Sequence, residues 1–457
     1  MSHGANGSSD GRKRKGEQMN NKRDKLVFWN IWSSYATYYF GKVNLSIVVP
    51  ALLATHKDLS LMNVGLVSSG FFFAYAFGQF LHGQISERHN PFVYISIGLL
   101  GSAVMNLMLG FSAGFFILLF IGETIDGMFQ SMGWSSCVRA NALVQKAENR
   151  ERTTTILGTS YQVGNSVAWL ISAYSVGAWG WQAGFWVASA FLSARGILLL
   201  VTKPKLEIAP PQNVSSQVKN TLSYPIVFSG LALCLLNMVR YGVITWIPLY
   251  LFQNQNLVVG DMGKVGLKVF LIPIAGVIGT LVYNRLKLGK DLITIIFLTF
   301  LAISFVVLPF TSGLLATIVL LIGSFFLYGP HVFLVTTMPT RFVDSQVVAA
   351  STGFIDGMGY IGTVLIGVII PILVSSAGGN WTYVFVFWAA LSILVAIFVA
   401  MVYLARFRFN NSIEKQQWEF MNFGNPSRHL RKCICGNLTA GRVVDKIPPV
   451  LAREISK

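Results

Sequence analysis

The stretch YATYYFGKVNLSIVVP at residues 35–50 holds one charge, Lys42, in an otherwise uncharged run, and it closes on Pro50. The run around it, 27–50, is long enough to cross a bilayer, since about 20 mostly apolar residues suffice for a helix. A second stretch, RYGVITWIP at 240–248, repeats the arrangement. Arg240 is the lone basic residue of a run over 225–250, and Pro248 follows it by eight positions, as Pro50 follows Lys42. The two cations are 198 residues apart, and so are the two prolines. A charge at mid-bilayer costs at least ~2.5–3.5 kcal/mol, so residues that stay there face a cavity or a partner. A duplicated, buried cation points to two half-molecules that present positive charge to one shared site, which would select an anion.

The rest of the chain fits a membrane setting. Of 457 residues 53% are hydrophobic and 12% charged, with a mean hydropathy of +0.59; soluble domains carry about 25% charged residues. Apolar runs predict twelve helical spans, at 27–50, 63–83, 92–111, 115–137, 153–175, 183–201, 225–250, 265–284, 292–310, 314–337, 348–373 and 381–404. The class expected is an all-α, polytopic membrane protein. Its parts would be a disordered basic tail (1–25), a six-helix bundle (26–201), a proline-containing linker (202–224), a second six-helix bundle (225–404) and a C-terminal tail (405–457).

Residues 1–25 lack the apolar core of a cleavable signal. Of 35 Lys and Arg, 29 fall in tails and loops on the side of the N-terminus. Lys42, Arg195 and Arg240 lie within spans, and Lys57, Lys264 and Lys268 fall on the far side. The positive-inside rule then puts both termini in the cytoplasm, in a cell inner (plasma) membrane. Basic charge spread over many short loops argues against nucleic acid as a partner. Cys433 and Cys435 form a lone CxC with no second pair to complete a metal site, so no metal and no cofactor are expected. A nucleophile–base constellation and a phosphate-cradling loop are both missing, so no catalytic residue is expected.

The chain repeats itself at about 200 residues. Val64, Gly65, Leu66, Ala74 and Gly78 recur as Val265, Gly266, Leu267, Ala275 and Gly279, offset by 201. Gly158 and Gly164 recur as Gly353 and Gly359, offset by 195, and Trp181 and Phe185 as Trp381 and Phe385, offset by 200. Six spans per half is an even number, so the halves share one orientation and form a parallel repeat about an axis normal to the membrane. Two such bundles can rock about a central site.

Around the cations, Tyr35 and Tyr39 share a face of span 1 and Tyr39 lies three residues before Lys42. Tyr75 on span 2 and Tyr161 on span 5 are further candidate donors. Arg offers a planar fork that grips two oxygens, whereas Lys is a point charge. The competing expectation is an intramembrane salt bridge to Glu123 or Asp126, which share a face of span 4, or to Asp356 on span 11. These carboxylates are also candidates for proton coupling or charge balance. His331, after Gly329 and Pro330, is a candidate ligand or proton carrier. Arg195, near the end of span 6, can snorkel to the headgroups and is expected to be structural.

These residues resemble the organophosphate:phosphate antiporter family of the major facilitator superfamily. The resemblance covers about 26–404. It is carried by YATYYFGKVNLSIVVP, GQISERHNP (83–91), MGWSSCVR (132–139), RYGVITWIP, YGP (328–330) and GFIDGMGYIG (353–362). It implies a substrate phosphate held between Lys42, where the family usually has Arg, and Arg240. It implies further that Gln79 stands where a span-2 Lys is common, Tyr161 where a span-5 His is, and Thr245 where an acidic residue is. Ser86, Glu87 and Arg88 match the superfamily's gating loop, with Glu87 in place of the usual Asp.

The function expected is secondary active transport of a small organic anion by alternating access. The resemblance points to a sugar phosphate or glycerol phosphate exchanged for inorganic phosphate, moved by a monomer. Two alternatives stand beside it: proton-coupled transport of a polycarboxylate or metal-chelating anion, and a transporter-like membrane sensor of sugar phosphate.

Overall fold

Each of the twelve expected spans is helical in the structure, a computed structural model that describes residues 6–86, 89–145, 147–204, 224–337 and 348–422. In the first half these are α1 (Asn6–Thr55), α2 (Leu61–Ser86), α3 (Pro91–Gly110), α4 (Phe116–Ser131), α5 (Gly133–Val144), α6 (Ala147–Leu157), α7 (Thr159–Trp179) and α8 (Gln182–Thr202). The second half comprises α9 (Tyr224–Asn254), α10 (Met262–Arg285), α11 (Lys290–Val307), α12 (Gly313–Val332), α13 (Val348–Ser376) and α14 (Thr382–Asn422). Spans 4 and 5 are each two helices in line, broken at Met132 and at Gly158. There is no strand among the described residues.

Nine helices among the described residues are long and apolar enough to cross a bilayer. The other three crossings are α1, α4–α5 and α6–α7, which are interrupted or carry polar side chains. Large apolar residues such as Ile97, Val104, Met108, Ile117 and Ile121 are exposed. That is the inverse of a soluble surface and suits hydrocarbon as solvent.

The described residues up to 400 form one compact unit, and those from 401 to 422 belong to another. Helices run on into both expected tails. Residues 6–25, expected to lack order, extend α1 to 50 residues. Residues 405–422 extend α14 in the same way. A span that has nucleated a helix can be extended without a new nucleation cost, and half of residues 6–25 are Lys, Arg, Glu, Gln or Met, which favour the helix. Most of the linker, 205–223, lies outside the described residues.

Pro50, Pro248, Pro273, Pro330 and Pro371 all sit inside helices. After Pro330 the chain runs into a π-helical turn, Phe333–Thr337; a proline withholds one backbone donor, and a wider turn is one way to re-pair the carbonyls.

The two halves meet closely at the end of the bundle opposite the N-terminus. There α2 packs on α13 and α7 on α10. A Cβ on Gly65 would collide with the Gly367 carbonyl, and one on Gly266 with the Ala173 methyl. Small residues let the backbones approach, as is usual in membrane helix pairs. Ser69 Oγ donates to the Val364 carbonyl at 2.8 Å in the same seam.

Candidate functional site

The first half brings Lys42 to the centre on α1, and the second brings Arg240 on α9. Both are almost wholly buried, 8% and 5% exposed. Neither forms an ion pair among the described residues, where the one ion pair is Lys264 with Asp261. The competing expectation, a salt bridge to Glu123, Asp126 or Asp356, is not met among the described residues. Rings take their place.

Lys42 Nζ lies 3.7 Å from the centroid of Tyr75, and 5.6, 5.7 and 5.9 Å from those of Tyr39, Tyr360 and Tyr241. The Arg240 guanidinium carbon lies 4.8 Å from Tyr241, 5.4 Å from Tyr161 and 5.5 Å from Tyr328. A desolvated cation–π contact is worth about 2 kcal/mol. The rings thus offset part of the cost of burying two cations without cancelling their charge, which stays available to an anion. Tyr241 touches both cations and joins the halves electrostatically.

Arg240 Nη1 lies 3.4 Å from His331 Nε2. Guanidinium only donates, so Nε2 is the acceptor and the imidazole proton sits on Nδ1. Arg240 Nε and His331 Nδ1 are both buried and have no acceptor among the described residues. Buried N–H groups without partners are costly, and an oxyanion between the halves would supply what they lack. Asp356, half-buried on α13, is within Coulombic reach of both cations and offsets part of their charge.

A cavity of about 20 Å³ borders Lys42, Tyr39, Tyr241, Thr245 and Glu123. That is room for about one water, so the helices are closed around the cations. Glu123 lines the cavity, while Asp126 turns toward α3 and accepts from Asn106 Nδ2 at 3.0 Å. Tyr35 stands one ring away from the cations, packed on Tyr39 at 5.9 Å and Trp134 at 4.9 Å. Gln79 is half-buried one turn beyond Tyr75. Ser86 ends α2, and Glu87 and Arg88 lie outside the described residues.

Arg195 bonds within the helix bundle. Its Nε donates to Ser34 Oγ at 3.0 Å and its Nη2 to Asn30 Oδ1 at 2.9 Å, fixing α8 to α1.

The ring cage includes three tyrosines that are not among the sequence candidates: Tyr241, Tyr328 and Tyr360. Helical spacing holds a signal for two of them. Tyr328 lies three residues before His331 and Tyr360 four after Asp356, each on its partner's face.

The chain matches the Major Facilitator Superfamily over residues 31–367. It is 26% identical over 378 residues to the membrane sensor protein UhpC of Escherichia coli (strain K12), covering 75% of this chain and 84% of that protein. It is 24% identical over 420 residues to the glycerol-3-phosphate transporter of Bacillus subtilis (strain 168), covering 84% and 93%. With the phosphoglycerate transporter protein of Salmonella typhimurium it shares 26% identity over 384 residues, covering 75% and 82%. Among solved structures, a bacterial homolog of the human lysosomal transporter Spinster, inward-facing and unoccupied, superposes with a TM-score of 0.66 at 13% identity, over 83% of this chain and 95% of that one. At that identity the likeness speaks for the fold.

Proposed function

The chain belongs to the Major Facilitator Superfamily, and from that premise we propose that it is a secondary transporter of a small phosphate ester. It is a multi-pass, all-helical membrane protein. A sugar phosphate or glycerol phosphate would be exchanged for inorganic phosphate, across a plasma membrane with both termini in the cytoplasm. One observation carries the reading. Two buried cations, one from each half, have no carboxylate partner among the described residues and leave the Arg240 Nε and His331 Nδ1 donors unmet. The names of the glycerol-phosphate and phosphoglycerate relatives support the same chemistry.

In the mechanism, Arg240 grips two phosphate oxygens with its planar fork and His331 Nδ1 adds a third donor. Lys42 supplies a point charge from the opposite half, and Tyr39, Tyr75 and Tyr161 add hydroxyls. An anion bound by both halves favours their approach. When the α2–α13 and α7–α10 seam parts and the opposite end closes, the site opens to the other side. Ser86, Glu87 and Arg88 are proposed to steady one of the two states.

The test uses proteoliposomes loaded with inorganic phosphate. Labelled glycerol 3-phosphate or hexose 6-phosphate outside should enter in exchange, and Arg240→Ala should abolish entry. If no phosphate ester enters against phosphate, the exchange reading is lost. Likeness to UhpC motivates a second reading, a sensor of the same ligand. A sensor would bind these esters in a thermal-shift assay and fail to move them.

A further inference from the structure

Behind the cation cavity lies a buried acidic pair that holding an anion does not require. Glu123 is 1% exposed and Asp126 fully buried, three residues apart on α4. Neither takes part in an ion pair among the described residues. The two carboxylates have different surroundings. Asp126 Oδ2 accepts from Asn106 Nδ2 at 3.0 Å, and Asn106 Oδ1 accepts from Asn44 Nδ2 at 2.6 Å. Gln130 Nε2 donates to Ser102 Oγ at 2.8 Å in the same cluster. Glu123 Oε1 is buried without a partner among the described residues and borders the cavity that holds Lys42.

The titratable groups that surround the pair are Lys42, Tyr38 and Tyr39 of α1 and Tyr241 of α9, with Tyr75 of α2 behind Lys42. At this depth α3 presents only amides and hydroxyls, Asn106 and Ser102. Two carboxylates one helical turn apart in a dry interior, with no cation paired to either, do not both ionise. The amide donor of Asn106 favours the ionised form of Asp126. No described residue donates to Glu123, so it is the member that carries the proton.

We propose that Glu123, backed by Asp126, is a proton-binding site in the wall of the anion cavity, filled together with the anion. The proposal rests on the anion-transport reading above and adds a proton to its cargo. A proton on Glu123 removes a negative charge from beside an arriving oxyanion, so each ligand strengthens the binding of the other. The proton is taken from water on one side and returned to water on the other after the anion leaves.

The test is infrared spectroscopy of the full-length protein in lipid, with and without inorganic phosphate, at the pH where the signal is half developed. A protonated carboxylic acid has a C=O stretch that a carboxylate lacks. The wild type should show it, Glu123→Gln should lose it, and Asp126→Asn, which removes the neighbouring charge, should weaken it. Adding phosphate should strengthen it. A spectrum with no Glu123-dependent band at any pH overturns the proposal. So does a band that stays constant while a thermal shift shows phosphate bound. A Glu123-dependent band in a protein that phosphate does not stabilise upholds the proton site and removes phosphate as its companion.

Discussion

Lys42 points its ammonium at the face of Tyr75, with Nζ 3.7 Å from the ring centroid. The contact joins α1 to α2 inside the first half, and it is the shortest of the four rings around this cation. A ring face attracts a cation through its quadrupole and accepts no proton, so it holds Lys42 in place while leaving its charge unneutralised. A double-mutant cycle of Lys42→Met and Tyr75→Leu should give a coupling of about 1–2 kcal/mol in stability. Tyr75→Phe, which keeps the ring, should retain most of it. Thermal unfolding in detergent supplies the numbers, and additive losses would mean that the contact contributes nothing.

Arg240 and Lys42 should respond differently to exchange of one base for the other. Arg240→Lys loses the two-pronged grip and the contact with His331, so phosphate affinity should fall by about 1.5–3 kcal/mol, roughly ten- to a hundredfold. Lys42→Arg keeps a charge against the same rings and should bind within a few-fold of wild type. Calorimetric titration with inorganic phosphate checks both. Equal losses at the two positions would contradict the asymmetry.

Much of this site is legible in the amino-acid sequence. The 198-residue offset puts both cations in matching spans, and the fold brings both to Tyr241. The three-residue spacing of Glu123 and Asp126 puts them on one side of one helix, as is found. A three-residue step turns the helix by 300°, however, and the residual 60° sends Glu123 to the cavity and Asp126 to α3. The aromatic cage is half legible, because tyrosine in a membrane span reads equally well as packing. The amide cluster is not legible at all. Asn44, Ser102, Asn106 and Gln130 come from three helices, and no spacing along the chain links them.

Asn106 is the hub of that cluster, donating to Asp126 Oδ2 and the Ser102 carbonyl and accepting from Asn44. Asn106→Leu keeps the volume and removes every one of those bonds. It leaves Asn44 Nδ2 buried without its acceptor and takes one of its donors from Asp126, at about 1–3 kcal/mol for an unmet buried group. The variant should unfold at clearly lower temperature than wild type. A variant as stable as wild type would show that the Asn44–Asn106–Asp126 chain is not formed in the protein.

The seam at the end opposite the N-terminus gives a test of the moving parts. Gly65 faces the Gly367 carbonyl with no space for a side chain, and that carbonyl cannot rotate aside as a side chain would. Gly65→Val should therefore hold α2 and α13 apart there, at an overpacking cost of about 1–3 kcal/mol in the closed form. That cost shifts the population toward the open form by roughly ten- to a hundredfold. A reporter cysteine at Ser68, which borders the cavity, is introduced in a background where Cys137, Cys234, Cys433 and Cys435 have been replaced. It should react with a membrane-impermeant thiol reagent from that side faster by the same factor. Transport should fall, because the cycle requires the seam to close, while phosphate added from the same side should still slow the labelling. Unchanged labelling in Gly65→Val would show that this glycine contact does not control access to Lys42 and Arg240.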